Sequence, residues 1–288
     1  MTKWGSLRRA TDALAAGGLA LALVLGGCSA PETAADRDIQ PTAKRIVSLN
    51  PCTDAMLVEM SADQILALSH YSHDPASSSI PQNVAKRYEV TGGTVEEILA
   101  LDPDVVLAST FIAPATRSAL EDLGIRVEAF GSPQSVAESE AQIRRLAKIV
   151  GRELEGEWLV RDIDRALENA TGKPKPDIDT LLWQPGQIVP GGETLVAEVM
   201  EQNGFTSFAE KRGLNQADYV SLERLLADPP ELLLVAGDSP AQTHPALQRL
   251  ADTRVESFEP RLLYCGGRTI VGVQMRLDAI RREMRQAT

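Results

Sequence analysis

The stretch TVEEILALDPDVVLAS, residues 94–109, decides how this chain is read, because SLERLLADPPELLLVA at 221–236 repeats its plan. Thr94 aligns with Ser221, Glu96 with Glu223, Leu99 with Leu226, Pro103 with Pro230 and Asp104 with Glu231. In each stretch a hydroxyl residue opens a short helix, a proline closes it and an apolar run follows. The hydroxyl can satisfy an orphan N–H at the helix start, and proline cannot continue a helix. Glu97, three residues after Thr94, forms a capping box with it. A near-continuous apolar run suits a strand covered on both faces, as in a parallel sheet. Cap, helix, proline and strand are common grammar in α/β chains. The repeat therefore leaves two readings open: shared grammar, or two lobes of similar plan facing one cleft.

Working outward, strands alternate with helices on both sides. RIVSL (45–49) is a strand, and Thr53 or Asp54 can cap a helix through about Met60. QILALS (64–69) is a strand, and HYSHDPASSSIPQN (70–83) has no apolar period and reads as a loop. APATRSALEDLG and IRVEAFG supply the next helix and strand. From Ser135 to about Thr171 the pattern is helical apart from Gly151 and Gly156, so one long helix or two abutting ones run there. GKPKPD ends it, and the plan restarts with DTLLWQ (179–184). IVPGGETLVAEVMEQNG gives a strand end, a turn and a helix. ELLLVAG (231–237), RVESF and RLLYC read as strands, and TIVGVQMRLDAIRREMRQ as a closing helix with one apolar face. Right-handed βαβ crossovers then give two Rossmann-like lobes with short parallel sheets, joined by one long interlobe helix. The expected boundaries are 44–134 for the first lobe, 135–171 for the interlobe helix and 172–288 for the second lobe.

The formal net charge is −11, with 43% hydrophobic and only 4% aromatic residues. An acidic surface repels phosphate backbones and argues against nucleic acid as a partner. Lys3, Arg8 and Arg9 form a basic start, and Ala13 to Leu25 an apolar stretch too short to span a bilayer. LGGC (25–28) follows, and this pattern resembles the lipobox of bacterial lipoproteins. That resemblance implies a signal peptide over 1–27 and a lipid on Cys28. Residues 28–43 are small, polar and proline-containing, as a flexible tether would be. The motifs GxSxG, P-loop, HExxH, CxxC and the EF-hand loop are all missing from the sequence, so no enzyme is expected.

RIVSLNPCTDAMLVEM, TVEEILALDPDVVLAS, SLERLLADPPELLLV and GGETLVAEVMEQNGF together resemble the substrate-binding proteins of ABC importers for cobalamin, ferric siderophores and heme. The resemblance covers residues 44–286. It implies two α/β lobes tied by a long helix, with a ligand cleft between them. It also implies a lipid-anchored, monomeric protein on the periplasmic side of the inner membrane or at the cell surface. Such a protein would carry a metal chelate to the membrane subunits and hold no cofactor of its own. In that family a surface glutamate on each lobe pairs with permease arginines, which falls on Glu96 and Glu223. The alternative is that both are acids favoured at helix starts.

If ligands bind beyond strand ends, the candidate cleft residues are Asn50, Cys52, His70, Tyr71, His73, Phe111, Trp183, Gln184, Tyr219, Tyr264 and Arg268. Aromatic walls suit flat or apolar ligands. For any one aromatic the competing reading is core packing. His70 and His73 share a loop. One could ligate the metal of a chelate, both could hold a free transition-metal ion together with the cysteines, or both could be plain loop residues. Cys52 and Cys265 form a disulfide, remain buried thiols or bind metal; the sequence leaves all three open. Few basic residues fall in these loops, which tilts the expectation toward a weakly charged, corrinoid-like chelate over an anionic siderophore.

Overall fold

The apolar runs become strands with almost no exposed surface. Val105–Ala108 and Leu232–Leu234 are all fully buried. The computed structural model describes residues 42–171 and 177–286. The signal peptide and most of the tether expected over 1–43, with the Cys28 lipidation site, lie outside them. Ala43 already belongs to the fold: it is buried, and its N–H donates to Ile149 O at 3.0 Å.

The first lobe runs β1 (Ile46–Ser48), α1 (Pro51–Met60), β2 (Ile65–Ser69), α2 (Gln82–Ala85), β3 (Val90–Thr91), α3 (Val95–Leu101), β4 (Val105–Ser109), α4 (Pro114–Asp122) and β5 (Arg126–Phe130). Its five strands are all parallel, in the order β3-β2-β1-β4-β5. Next come α5 (Val136–Val150) and α6 (Glu153–Thr171). The second lobe runs β6 (Ile178–Trp183), α7 (Leu195–Gln202), β7 (Phe205–Ser207), α8 (Phe208–Lys211), α9 (Leu222–Ala227), β8 (Leu232–Ala236), β9 (Arg254–Phe258) and α10 (Arg268–Gln286). Its four strands are also parallel, in the order β7-β6-β8-β9.

The repeated stretch occupies the same place in each sheet. β4 sits between β1 and β5, and β8 between β6 and β9. The aligned acids have matching jobs. Asp104 Oδ2 accepts the Lys44 and Arg45 N–H groups at 2.7 and 2.9 Å, and Glu231 Oε1 accepts the Asp179 N–H at 3.0 Å. Each fastens the neighbouring strand. The likeness continues into RVEAF (126–130) and RVESF (254–258), the outer strands β5 and β9. Arg126 Nε donates to Glu128 and Arg254 Nε to Glu256, at 3.0 and 2.9 Å. A helix then covers each strand. Arg145 of α5 reaches Glu128 and Ala129 O, and Arg276 of α10 reaches Glu256 and Ser257 O. The two lobes thus share their end helices as well as their sheets.

The interlobe segment is two helices, α5 and α6, packed on one another. Gly151 breaks the run at φ 67°, a left-handed conformation that glycine adopts without the Cβ clash of other residues. α6 is the rod that touches both lobes, through α1 on one side and α7 and α10 on the other. One hydrophobic core runs from Ile46, Val105 and Phe130 through Ile143, Leu159 and Ile163 to Leu182, Leu234, Phe258 and Leu277. The outer faces of the sheets have separate cores. RLLYC forms no strand: Pro260–Leu262 is a 3-10 turn, because Pro260 cannot donate to a ladder. The first helix also starts earlier than its sequence suggested. Asn50 caps it, accepting the Cys52 N–H at 2.9 Å, with Pro51 in the first turn. Among the described residues no helix is long and apolar enough to cross a membrane.

Candidate functional site

The loops leaving the carboxyl ends of the strands enclose a cavity of about 860 Å³. β1 supplies Leu49 and Asn50, β2 Ser69, His70 and Tyr71, and β3 Gly92 and Gly93. Ser109 and Phe111 come from the end of β4, and Tyr264 from the second lobe. A recess of about 240 Å³ adjoins it, lined by second-lobe residues that include Gln184, Ile188, Pro190, Thr194 and Cys265. Ser132 and Tyr264 line both spaces. The site thus lies beyond parallel strand ends, as in other open α/β sheets.

Its chemistry is set by what the lining omits. Among the described residues, no Asp, Glu, Lys or Arg lines either space. Phe111 is 87% exposed, Tyr71 49% and Tyr264 39%, so three aromatic rings stand ready for a ligand surface. The His70 and Tyr71 rings lie 4.1 Å apart, centroid to centroid. Burial pushes the Tyr264 phenol above its ordinary pKa, so it is a neutral hydrogen-bonding group.

Two carboxylates just behind the lining hold it in shape. Glu97 Oε2 accepts the Thr91 hydroxyl at 2.7 Å and the Gly92 and Gly93 N–H groups at 2.8 and 3.1 Å. These bonds, the Thr91 hydroxyl first, hold its carboxyl below the usual range. Glu97 is thus more than a helix cap, since it ties down the loop after β3. Asp54 is fully buried on α1. Its Oδ2 accepts the Ser69 N–H at 3.0 Å and the Ser72 hydroxyl at 2.6 Å, one at each end of the turn carrying His70 and Tyr71. Burial pushes its pKa up to about 7. Neither role was legible in sequence, because both partners are backbone or small hydroxyls contributed by other loops.

A model of the periplasmic binding protein family matches residues 46–255. The chain belongs to that family. No curated protein sequence matches it. Solved structures share its fold at low identity. The periplasmic heme-binding protein RhuT from Roseiflexus sp. RS-1, in apo form, is 20% identical with a TM-score of 0.67, over 82% of this chain and 97% of its own. The periplasmic heme-binding protein HutB of Vibrio cholerae is 19% identical with a TM-score of 0.67, over 82% and 98%. The periplasmic vitamin B12 binding protein BtuF of Vibrio cholerae is 20% identical with a TM-score of 0.63, over 82% and 95%. Periplasmic binding proteins bind solutes for ABC permeases and are not enzymes.

In this periplasmic binding protein the cavity gathers Asn50, Cys52, His70, Tyr71, Phe111 and Tyr264, with Gln184 in the recess. Four expected residues stand elsewhere. Trp183 is a core residue, 0% exposed, with its indole N–H on Val220 O at 2.9 Å. It sits at the end of β6, but in the core that covers the outer face of that sheet, with Val189, Phe208 and Val220. His73 Nε2 lies 3.0 Å from Ala85 O, against α2 and away from the cavity. Tyr219 pairs across from Ile188 at the rim, and its side chain lines neither space. Arg268 is drawn to α6 and α1 by Asp162 at 3.3 Å and Glu59 at 3.8 Å. A free-metal site from His70 and His73 finds no support. His70 Nδ1 lies by Thr91 O at 3.3 Å, while His73 Nε2 faces Ala85 O. Among the described residues no three His, Cys, Asp or Glu cluster to hold an ion. Cys52 and Cys265 are bonded to one another. Glu96 and Glu223 each stand two residues after a hydroxyl cap, Thr94 or Ser221, and both are exposed.

Proposed function

We propose that this periplasmic binding protein captures a weakly charged metal chelate of the corrinoid class and delivers it to an ABC permease. The uncharged, aromatic lining of the cleft carries the reading. A corrinoid presents a broad apolar rim with amide side chains, which match aromatic rings and the polar groups of Asn50, Ser69, Ser109 and Gln184. Heme carries two propionates and many siderophores are anionic. Both call for arginine or lysine, which this lining lacks. A neutral Tyr264 phenol also suits amide recognition better than ligation of ferric iron, which needs the phenolate. The fold relatives named for heme and for vitamin B12 bracket the ligand chemistry.

The finer picture completes the proposal. The chain is a monomer, held to the membrane by a lipid on Cys28 through a tether ending near residue 42. It docks on the permease through Glu96 on one lobe and Glu223 on the other. Calorimetric titration of the purified protein with cyanocobalamin, dicyanocobinamide, hemin and a ferric-siderophore panel tests the ligand. The expected result is tightest binding by a corrinoid, with hemin at least 10-fold weaker. Tight binding of hemin, or of bare zinc, cobalt or nickel ions, overturns it. Replacement Cys28→Ser should move the protein from the membrane fraction to the soluble periplasm.

A further inference from the structure

The bond between Cys52 and Cys265 joins residues 213 apart in sequence, with their Cα atoms 5.1 Å from one another. Cys52 opens α1 of the first lobe and lines the large cavity. Cys265 follows β9 of the second lobe and lines the adjoining recess. The neighbouring Tyr264 lines both. The bond is thus a covalent seam across the floor of the cleft, with a half-cystine facing each part. Within its own lobe the Tyr264 segment is held by the Leu263 N–H on Pro260 O, at 3.0 Å. Beyond it, the Gly267 N–H donates to Ser139 Oγ of α5 at 2.8 Å. The disulfide is the covalent bond that fastens it to the first lobe, beside the exposed Arg268–Glu59 ion pair to α1 at 3.8 Å.

We propose that the Cys52–Cys265 disulfide is a positioning element of the binding site, which sets the gap between the lobes, holds the Tyr264 ring between the two spaces and is covered by bound chelate. This inference rests on the reading of the cleft as a chelate site. Cys265 is buried and Cys52 is half-buried in the cavity lining, so a reductant approaches the bond from the cavity. Reduction by a dithiol balances as follows. Its thiolate attacks Cys52 Sγ, and the Cys265 thiolate leaves and takes a proton. The second thiol, on losing its proton, closes the reductant's own disulfide and releases Cys52 as a thiolate, which is protonated in turn. Two electrons and two protons pass to the protein. Linkage makes the effect reciprocal. If the oxidised form binds chelate more tightly by some factor, bound chelate resists reduction by that same factor.

The test compares oxidised protein with the Cys52→Ser/Cys265→Ser variant, using cyanocobalamin and hemin as probes. Oxidised protein should bind the better probe at least 10-fold more tightly. A saturating probe should slow reduction by dithiothreitol at least 10-fold, read by iodoacetamide mass labelling. In ligand-free protein, amide hydrogen exchange over residues 262–268 should quicken at least 10-fold in the variant. Should the variant fail to fold, wild-type protein reduced in place after folding takes its part. Equal affinity in the two forms overturns the proposal, even if exchange quickens. If neither probe binds, the functional reading is what fails. Exchange then decides this inference alone: quickened exchange supports it and unchanged exchange overturns it.

Discussion

Asp54 shows how much one buried side chain contributes to the site. Its Oδ2 holds both ends of the His70–Tyr71 turn. In the unfolded chain this carboxyl titrates near 3.8, and burial raises it to about 7 in the fold. The folded state therefore holds the proton more tightly. The stability contributed by this group is full below the unfolded value and is lost as pH rises through about 7. Between about pH 5.5 and 8.5, urea unfolding should show the wild type losing roughly 2 kcal/mol more than Asp54→Asn. Equal slopes would refute the assignment. At the mouth, Tyr264→Ala should weaken cyanocobalamin binding at least 10-fold by titration, whereas Tyr264→Phe, which keeps the ring, should change it little. Trp183→Phe should cost roughly 1–3 kcal/mol in thermal unfolding, through the indole bond to Val220 O, and leave affinity unaltered. Tyr71 and Phe111 were legible as cleft residues because strand ends are legible, whereas Tyr264 was expected at the end of a strand that does not form. Trp183 was misplaced because a strand's last residue points to the core or to the cleft according to the pleat, which a short apolar run does not reveal. Asp54 looked like a helix cap because it stands near a helix start, but Asn50 takes that post and leaves the acid inside the first turn.

At the scale of elements, the pairing of α5 with α6 sets the distance between the lobes. Gly156 of α6 lies against Ala147 of α5, so closely that a Cβ on Gly156 would stand 2.5 Å from the Ala147 Cβ. Alanine is the better helix former by about 1 kcal/mol. Here that preference is overridden, since two Cβ atoms at that distance force the helices apart. Gly156→Ala should therefore destabilise the protein by roughly 1–3 kcal/mol in thermal or urea unfolding; a stabilised variant would show that the pair is loosely packed. The helical pattern over 135–171 was legible, and Gly151 marked its break. The antiparallel folding of the two halves was not, since helical periodicity gives each helix a face without naming the partner that covers it. The pairing of RVEAF with RVESF was present in the sequence and carries the same Arg–Glu bond twice. Five residues are a weak signal until the strand order places both at the same edge of matching sheets. β3 and β7, two and three residues long, are set by their neighbours and leave no periodic trace.

The whole molecule is two lobes on one shared core, with a covalent tie at the cleft, an arrangement that opposes large motion between the lobes. Closing a loop of this length is worth roughly 5 kcal/mol against the unfolded chain, and reduction should lower the melting temperature accordingly. On the docking proposed above, a receptor that moves little would report its state by the placement of surface groups, and the repeated stretch would supply them. Glu96 and Glu223 occupy equivalent positions at the starts of α3 and α9, one per lobe. Its own backbone N–H and the Ser221 hydroxyl hold the Glu223 carboxyl below the usual range, so it stays charged at neutral pH. Neither residue lines the cavity. Charge that lies outside a site but faces a partner governs encounter and orientation, and such exposed charge is screened by salt. The double reversal Glu96→Arg/Glu223→Arg should thus leave cyanocobalamin affinity within about 2-fold and the fold intact by circular dichroism. Uptake with the cognate permease in vesicles should fall at least 10-fold, with each single reversal in between. Raising ionic strength should slow wild-type uptake and leave the double variant nearly unchanged. A loss of ligand affinity in either single variant would place that glutamate in the site's support and remove it from the docking face. Undiminished uptake by the double variant would mean that the helix starts carry acids for the helices' own sake.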